Sequence, residues 1–268
     1  MKMKNNKGIV FAMFLFCVLL ITVGCTQTQQ GIQATNTNNN NQVTQPNNNE
    51  QIQTDTQVNN NAVLPGIGTI VFSVSDQSTN AGNLNNIIFS ISSLYVHSKT
   101  NGWVSIPASS HIYDLIQLRK TGNISFFSNT SISSGDFDMI KFNIGSMKIY
   151  DANGKHDVII PSALYQSNFD FTIQPNKVAS INLGFMGTDS VHMTGDGRYV
   201  LTPIINIDAK SDSSISIDLE KNLKIIGTTT SSEKVGMGPD GTVGTDLIIA
   251  PGVQISIGAN NLLTVTGS

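Results

Sequence analysis

The side chains with the widest chemical range in this chain are its four histidines, His97, His111, His156 and His192. No two of them have the spacing of a helical zinc motif, so metal ligation by imidazole is not expected. His97 and His156 each stand beside a turn sequence, where a histidine is ordinarily solvated. Asp151-Ala152-Asn153-Gly154, followed by Asp157, has the oxygen donors that open a calcium loop. Such a loop needs Gly at its sixth place and Glu at its twelfth. Here Gly is fourth and no such Glu follows, so the stretch reads as a hairpin turn. Gly195-Asp196-Gly197 and Gly238–Gly241 read the same way, because neither opens a helix after a strand as a phosphate loop does. No Gly-x-Ser-x-Gly nucleophile elbow occurs, although serine is abundant enough to supply a triad formed only in three dimensions. Asp136, Asp138 and Asp170 are the acids available for paired carboxylate chemistry, and solvated loop acids are the plainer reading. The expectation is a chain with no catalytic centre, no metal and no cofactor.

Two further features concern contact rather than catalysis. Trp103 is the only tryptophan and follows a tight turn, at the first residue of a strand. It reads as a core or rim aromatic, with a sugar-stacking platform as the alternative and Trp103 as the ligand contact. Asn123-Ile124-Ser125 and Asn129-Thr130-Ser131 are glycosylation acceptor patterns at Asn123 and Asn129, relevant where the host glycosylates exported proteins.

The chain has two cysteines, Cys17 and Cys25. Lys2, Lys4 and Lys7 precede an apolar run from Gly8 to Val23, and Gly24-Cys25 follows. A cationic start, a short apolar segment and a small residue before the cut are the marks of an export signal. Thr22-Val23-Gly24-Cys25 resembles the lipobox of prokaryotic lipoproteins, with Thr22 where that motif usually has Leu. The resemblance implies a signal peptide over 1–24, lipidation at Cys25 and attachment to the membrane. The alternative is an uncut transmembrane anchor, for which the run is near the lower limit of about 17–25 residues. Either way the remainder lies outside the cytoplasmic membrane, and a mature domain without thiols forms no disulfide.

Residues 26–63 are dominated by Asn, Gln and Thr, have no aromatic residue, and carry only Glu50 and Asp55 as charges. Such a tract buries too little apolar surface to offset the entropy of ordering, so it is expected to be disordered. As a flexible tether it would average about 35 Å end to end. Charged residues make up 12% of the chain, the net charge is -3 and the pI is near 5.7. That balance argues against nucleic acid as a partner.

From Gly66 onward the pattern changes to short alternating runs separated by turns. Gly68–Ser75, Asn86–Ser98, Trp103–Ile106, Met139–Tyr150, Asp157–Ile160, Phe169–Ile173, Ala179–Phe185, Tyr199–Ile207 and Ser214–Leu219 alternate apolar and polar residues with Val, Ile, Phe and Tyr prominent. Period two with these residue types predicts half-buried strands. Thr100-Asn101-Gly102, Ala152-Asn153-Gly154 and Gly195-Asp196-Gly197 supply the residues that tight hairpins need. One helical turn is expected at Asp114–Arg119 and another near Ser162–Tyr165. The core is expected around Ile87, Phe89, Ile91, Phe142, Ile144, Val200 and Ile204. The fold class is all-β, an antiparallel β-sandwich of immunoglobulin-like or prealbumin-like kind. It is expected over 64–220, after the lipidated linker of 25–63. Residues 221–268 read as a small C-terminal β appendage.

Several stretches, in order, carry a family resemblance. They are GTIVFSVSD (68–76), NIIFSISSLYVHSKTNGWVSI (86–106), IYDLIQL (112–118), SGDFDMIKFNIGSMKI (134–149) and RYVLTPIINI (198–207). Together they resemble the archaeal and bacterial family known as domain of unknown function 4382, with Phe137 where that family normally has Tyr. The resemblance implies a secreted or surface-anchored β-sandwich and no assigned activity.

The function expected from all this is a lipid-anchored surface protein whose β-sandwich is a non-catalytic binding or adhesion module for a carbohydrate or protein ligand. The alternatives are a structural envelope subunit assembling through exposed strands and a hydrolase whose site forms only on folding. A flat exposed aromatic face would favour sugar binding, an uncovered edge strand assembly, and convergent acids in a cleft hydrolysis.

Overall fold

The computed structural model describes residues 66–79, 82–108, 111–220, 222–250, 253–258 and 263–266. The expected signal, Cys25 and the linker lie outside the described residues. The described residues are almost all β. In order it forms β1 (Ile67–Asp76), β2 (Asn86–Ser98), β3 (Gly102–Ile106), β4 (Ile112–Asp114), the helix α1 (Leu115–Thr121), β5 (Ser125–Ser133), β6 (Gly135–Asp151), β7 (Gly154–Ile159) and β8 (Leu164–Ile173). Then come β9 (Val178–Phe185), β10 (Val191–Met193), β11 (Tyr199–Leu201), β12 (Ile204–Ile217), β13 (Leu223–Met237), β14 (Val243–Gly244), β15 (Gln254–Ile257) and β16 (Leu263–Thr266).

These strands build two large sheets. The first runs β14-β13-β12-β9-β1-β5. The second runs β10-β11-β7-β6-β2-β3, with β4 beside β3 on the same flank of β2, and β8 beside β7 on the same flank of β6. The alternation read from the sequence is what the strands do. Along β8, Tyr165, Ser167, Phe169, Phe171 and Ile173 are buried while Gln166, Asn168, Asp170 and Thr172 are exposed. Inner-face side chains of both sheets merge into one core, with Phe72, Phe89, Phe127, Phe142 and Tyr165 fully buried. The Tyr165 hydroxyl crosses that core and donates to the Val235 carbonyl at 3.1 Å, joining the sheets by a polar bond.

All three expected hairpins form. At all three the turn glycine has a backbone angle that only glycine adopts freely, φ 71° at Gly102, φ 122° at Gly154 and φ 82° at Gly197. The Asp114–Arg119 turn forms as α1, because Asp114 caps it. Its carboxylate accepts from the backbone N–H of Ile116 and Gln117, and Gly122 closes the helix in the left-handed region.

Four expectations need correction. The Ser162–Tyr165 turn is not helical. Its Ser162 hydroxyl accepts the Leu164 N–H at 3.1 Å, and the chain enters β8 at once. The sheets are not purely antiparallel: β1 pairs with β9, and β7 with β11, in parallel. The sandwich does not stop at residue 220, because β13 pairs along its length with β12 and sends Val235 and Met237, both fully buried, into the main core. Only β15 and β16 form a separate small sheet. That sheet covers Val200, which is buried against Ile249, Ile255 and Leu263 rather than in the main core.

Candidate functional site

The outer face of the second sheet carries the chain's only tryptophan. Period-two alternation along β3 turns Val104 and Ile106 toward the core, so Trp103 and Ser105 face out. Register then decides what Trp103 meets. It lies opposite His97 of β2, and Tyr95 of the same strand lies opposite Ser105 on one side and Lys141 of β6 on the other. Lys141 in turn lies opposite Gln166 of β8.

The side chains interlock in this order. The Lys141 ammonium sits 4.0 Å from the Trp103 ring centre and 5.0 Å from that of Tyr95, within cation–π range of both. His97 meets Trp103 edge-on at 5.1 Å. Its Nδ1 lies 2.7 Å from an Asp138 carboxylate oxygen. Trp103 nonetheless keeps 39% of its surface exposed. Against β2 the register shifts between His97 and Ser98, which pair with Met139 and Phe137, so Asp138 is the extra residue of a bulge. Nothing in the sequence marks that bulge, which is why His97 read as a solvated turn histidine and Asp138 as a loop acid. Toward β8 the face continues through the exposed polar residues Gln166, Asn168 and Asp170. The whole is an exposed sheet face with an aromatic centre, the Lys141 cation and hydrogen-bonding side chains around it.

The remaining expected residues fall elsewhere. The three acids do not converge as a pair: Asp138 is held by His97, Asp170 by Lys99 at 2.8 Å, and Asp136 accepts the Thr172 hydroxyl at 2.6 Å. The Asp170 carboxylate raises the Lys99 ammonium above its usual range. Asp151 is a turn anchor. One of its oxygens accepts from the N–H of Asn153 and Gly154 and meets His156 Nε2 at 2.8 Å, and the other accepts the Tyr199 hydroxyl at 2.8 Å. The hydrogen bond with His156, then that from Tyr199, hold the Asp151 carboxyl well below the usual range. Burial, then Asp151, push the Tyr199 hydroxyl up to about 12. His192 is buried beside Thr202, 2.8 Å away, and burial lowers its imidazole. Asn129 is exposed on the edge strand β5, whereas Asn123 is half-buried just after the α1 cap. Among the described residues no group of three or more His, Cys, Asp or Glu could hold a metal ion, and no helix is long and apolar enough to cross a membrane.

No curated protein and no solved structure matches this chain. A family model does, over residues 67–203, from β1 to the entry of β12 and including the whole Trp103 face. That stretch is half of the chain and holds the whole second sheet and three of the six strands of the first, so the chain belongs to the family described as Domain of unknown function (DUF4382).

Proposed function

We propose that this protein is a lipid-anchored surface binding module that takes carbohydrate on the outer face of its second sheet and performs no catalysis. The observation that carries the reading is the half-exposed Trp103 ring set beside Tyr95, His97 and Lys141 on the outer face of the sheet. The C–H face of a pyranose is apolar and lies well on an exposed aromatic ring, while its hydroxyls reach polar groups at the ring's edge. Gln166, Asn168 and Asp170 supply such groups on the neighbouring strand. Rigid strands, rather than loops, hold these side chains, and that favours a preformed surface. The acids on this sheet are each engaged by a different partner, which argues for contact over hydrolysis. The cationic, apolar and Gly-Cys pattern of residues 1–25 supports anchoring through Cys25.

Screening the full chain against an array of envelope and extracellular glycans tests the face. Trp103→Ala is expected to weaken binding at least tenfold with an unchanged melting temperature. Undiminished binding by that variant would overturn the proposal. Cys25→Ser is expected to abolish acylation; unchanged partitioning into a detergent phase would overturn the anchor.

A further inference from the structure

The long β12–β13 hairpin does more than extend the first sheet. Its register shifts between Ala209 and Lys210 and again between Ser211 and Ser214, with Asp212 in the left-handed region at φ 48°. Beyond these bulges the hairpin bends over the outer face of its own sheet. Its far end is pinned there: the Leu223 N–H donates to the Ile124 carbonyl at 2.6 Å, and Asn222 bridges to Ser125. Leu223 is buried at that contact.

The floor beneath this roof is polar, so the two layers do not close into a second dry core. Ser73, Ser75 and Ser180 are all buried there. They are satisfied internally, Ser73 donating to Asn182, Asn182 to Ser75, and Ser180 sharing a bond with Ser213. Gly184 leaves room for the Gln77 side chain to lie across β9, since a Cβ there would sit 2.5 Å from the Gln77 amide. A cleft of about 280 Å³ remains, lined by Gln77, Asn182, Asp208, Lys210, Ile225 and Thr229, among others.

What is left over in this cleft is a recognition set. Gln77 uses its carbonyl oxygen to accept from Asn206, and its amide N–H groups are unused. Asp208 accepts the Ser232 hydroxyl on one oxygen, and the other is unused. Among the described residues the Lys210 ammonium and the Thr229 hydroxyl have no partner, and of the lysines Lys210 alone lines this cleft. A lone ammonium beside an amide donor suits a carboxylate. An unused carboxylate oxygen and a hydroxyl nearby suit ligand hydroxyls. Ile225 offers an apolar wall. The volume lies just below the range of drug-sized pockets, about 300–1,000 Å³, and fits a single small ring.

We propose that this cleft binds a uronic-acid unit, with its carboxylate on Lys210 and Gln77 and its hydroxyls on Asp208 and Thr229. The site lies on the opposite sheet from Trp103, and its roof lies beyond the stretch shared with the family. It therefore stands independently of the proposed glycan face.

The test is calorimetric titration of the full chain with D-glucuronate, beside D-glucose and acetate, with amide shifts followed by NMR. Glucuronate is expected to saturate one site and to shift the amides of Asn182, Lys210 and Thr229. Glucose and acetate are each expected to bind at least tenfold more weakly. Lys210→Met is expected to weaken glucuronate at least tenfold with an unchanged melting temperature, and Lys210→Arg to retain it. Equal binding of glucose, equal binding of acetate, undiminished binding by Lys210→Met, or shifts confined to the Trp103 face would each overturn the proposal.

Discussion

Phe142 is packed between the two sheets. Its ring stacks on Tyr165 at 4.9 Å and meets Phe185 of the opposite sheet edge-on at 6.3 Å, with no surface exposed. Removing that ring deletes its transfer energy and leaves a cavity between two stiff sheets that relax little. Phe142→Ala is expected to cost about 3–5 kcal/mol, out of a total of about 5–15 kcal/mol. Urea unfolding of the two proteins measures the difference, and a loss under about 1 kcal/mol would mean that the core collapses to fill the site. Phe142 was readable as core from its alternating strand, and Trp103 as a core or rim aromatic at the start of a strand from its place after the Asn101-Gly102 turn. The tie between His97 and Asp138 was not. A bulge shifts one strand by a residue against its neighbour, and only the pairing shows it.

At the scale of elements, β13 decides where the sandwich ends. A chain ending at residue 220 would expose the inner edge of β12, remove Val235 and Met237 from the core, and take away the carbonyl that accepts the Tyr165 hydroxyl. Such a chain is expected to lose cooperative unfolding, while one ending at residue 250 keeps it. Circular dichroism melts of both truncations check this. A cooperative melt of the shorter chain near that of the full chain would show the hairpin to be dispensable. The β character of residues 221–268 was readable, but the length of β13 and its place beside β12 were not. Alternation marks that a strand has one buried face and does not mark what buries it. The same limit hid the parallel β1–β9 and β7–β11 pairs, since hairpin signals announce only neighbours in sequence. Ser162–Tyr165 misled for a local reason: a serine hydroxyl that bonds the N–H two residues on serves a strand entry as readily as a helix start.

Across the whole molecule, charge is sparse and many of its acids are engaged. Asp196, bonded by Arg198 and Thr194, is lowered to about 2. Asp151, Asp157, Asp218 and Asp240 are also lowered, first by hydrogen bonds with His156, Lys148, Asn222 and Thr242 respectively. Burial lowers His192. In each case the folded chain holds its proton less tightly than the unfolded chain does. These groups therefore contribute stability above their unfolded values, and that contribution is lost as pH falls. The loss begins below about 6.5 with His192 and steepens below about 4 with the aspartates. Burial raises Glu233, which opposes the trend. The melting temperature is expected to be level above pH 7, to slip toward pH 5 and to fall steeply toward pH 3. Added salt should flatten the lowest part, because the aspartates lie near the surface. A melting temperature constant from pH 7 to pH 3 would contradict this account.

The sequence by itself determined the β class, the strand faces, the hairpin turns, the cap of α1 and the absence of a helical metal motif, because each depends on residues within a few positions of one another. It also carried the family, through stretches kept in order along the chain. Tertiary structure decided which strands share a sheet and that β13 closes the first sheet. It set Lys141 over Tyr95 and Trp103, and it bent the β12–β13 hairpin over a floor of serines and asparagine. Those outcomes depend on register between strands far apart in sequence. A one-residue slip exchanges every inward side chain for its outward neighbour, and no local pattern records which register packing selects.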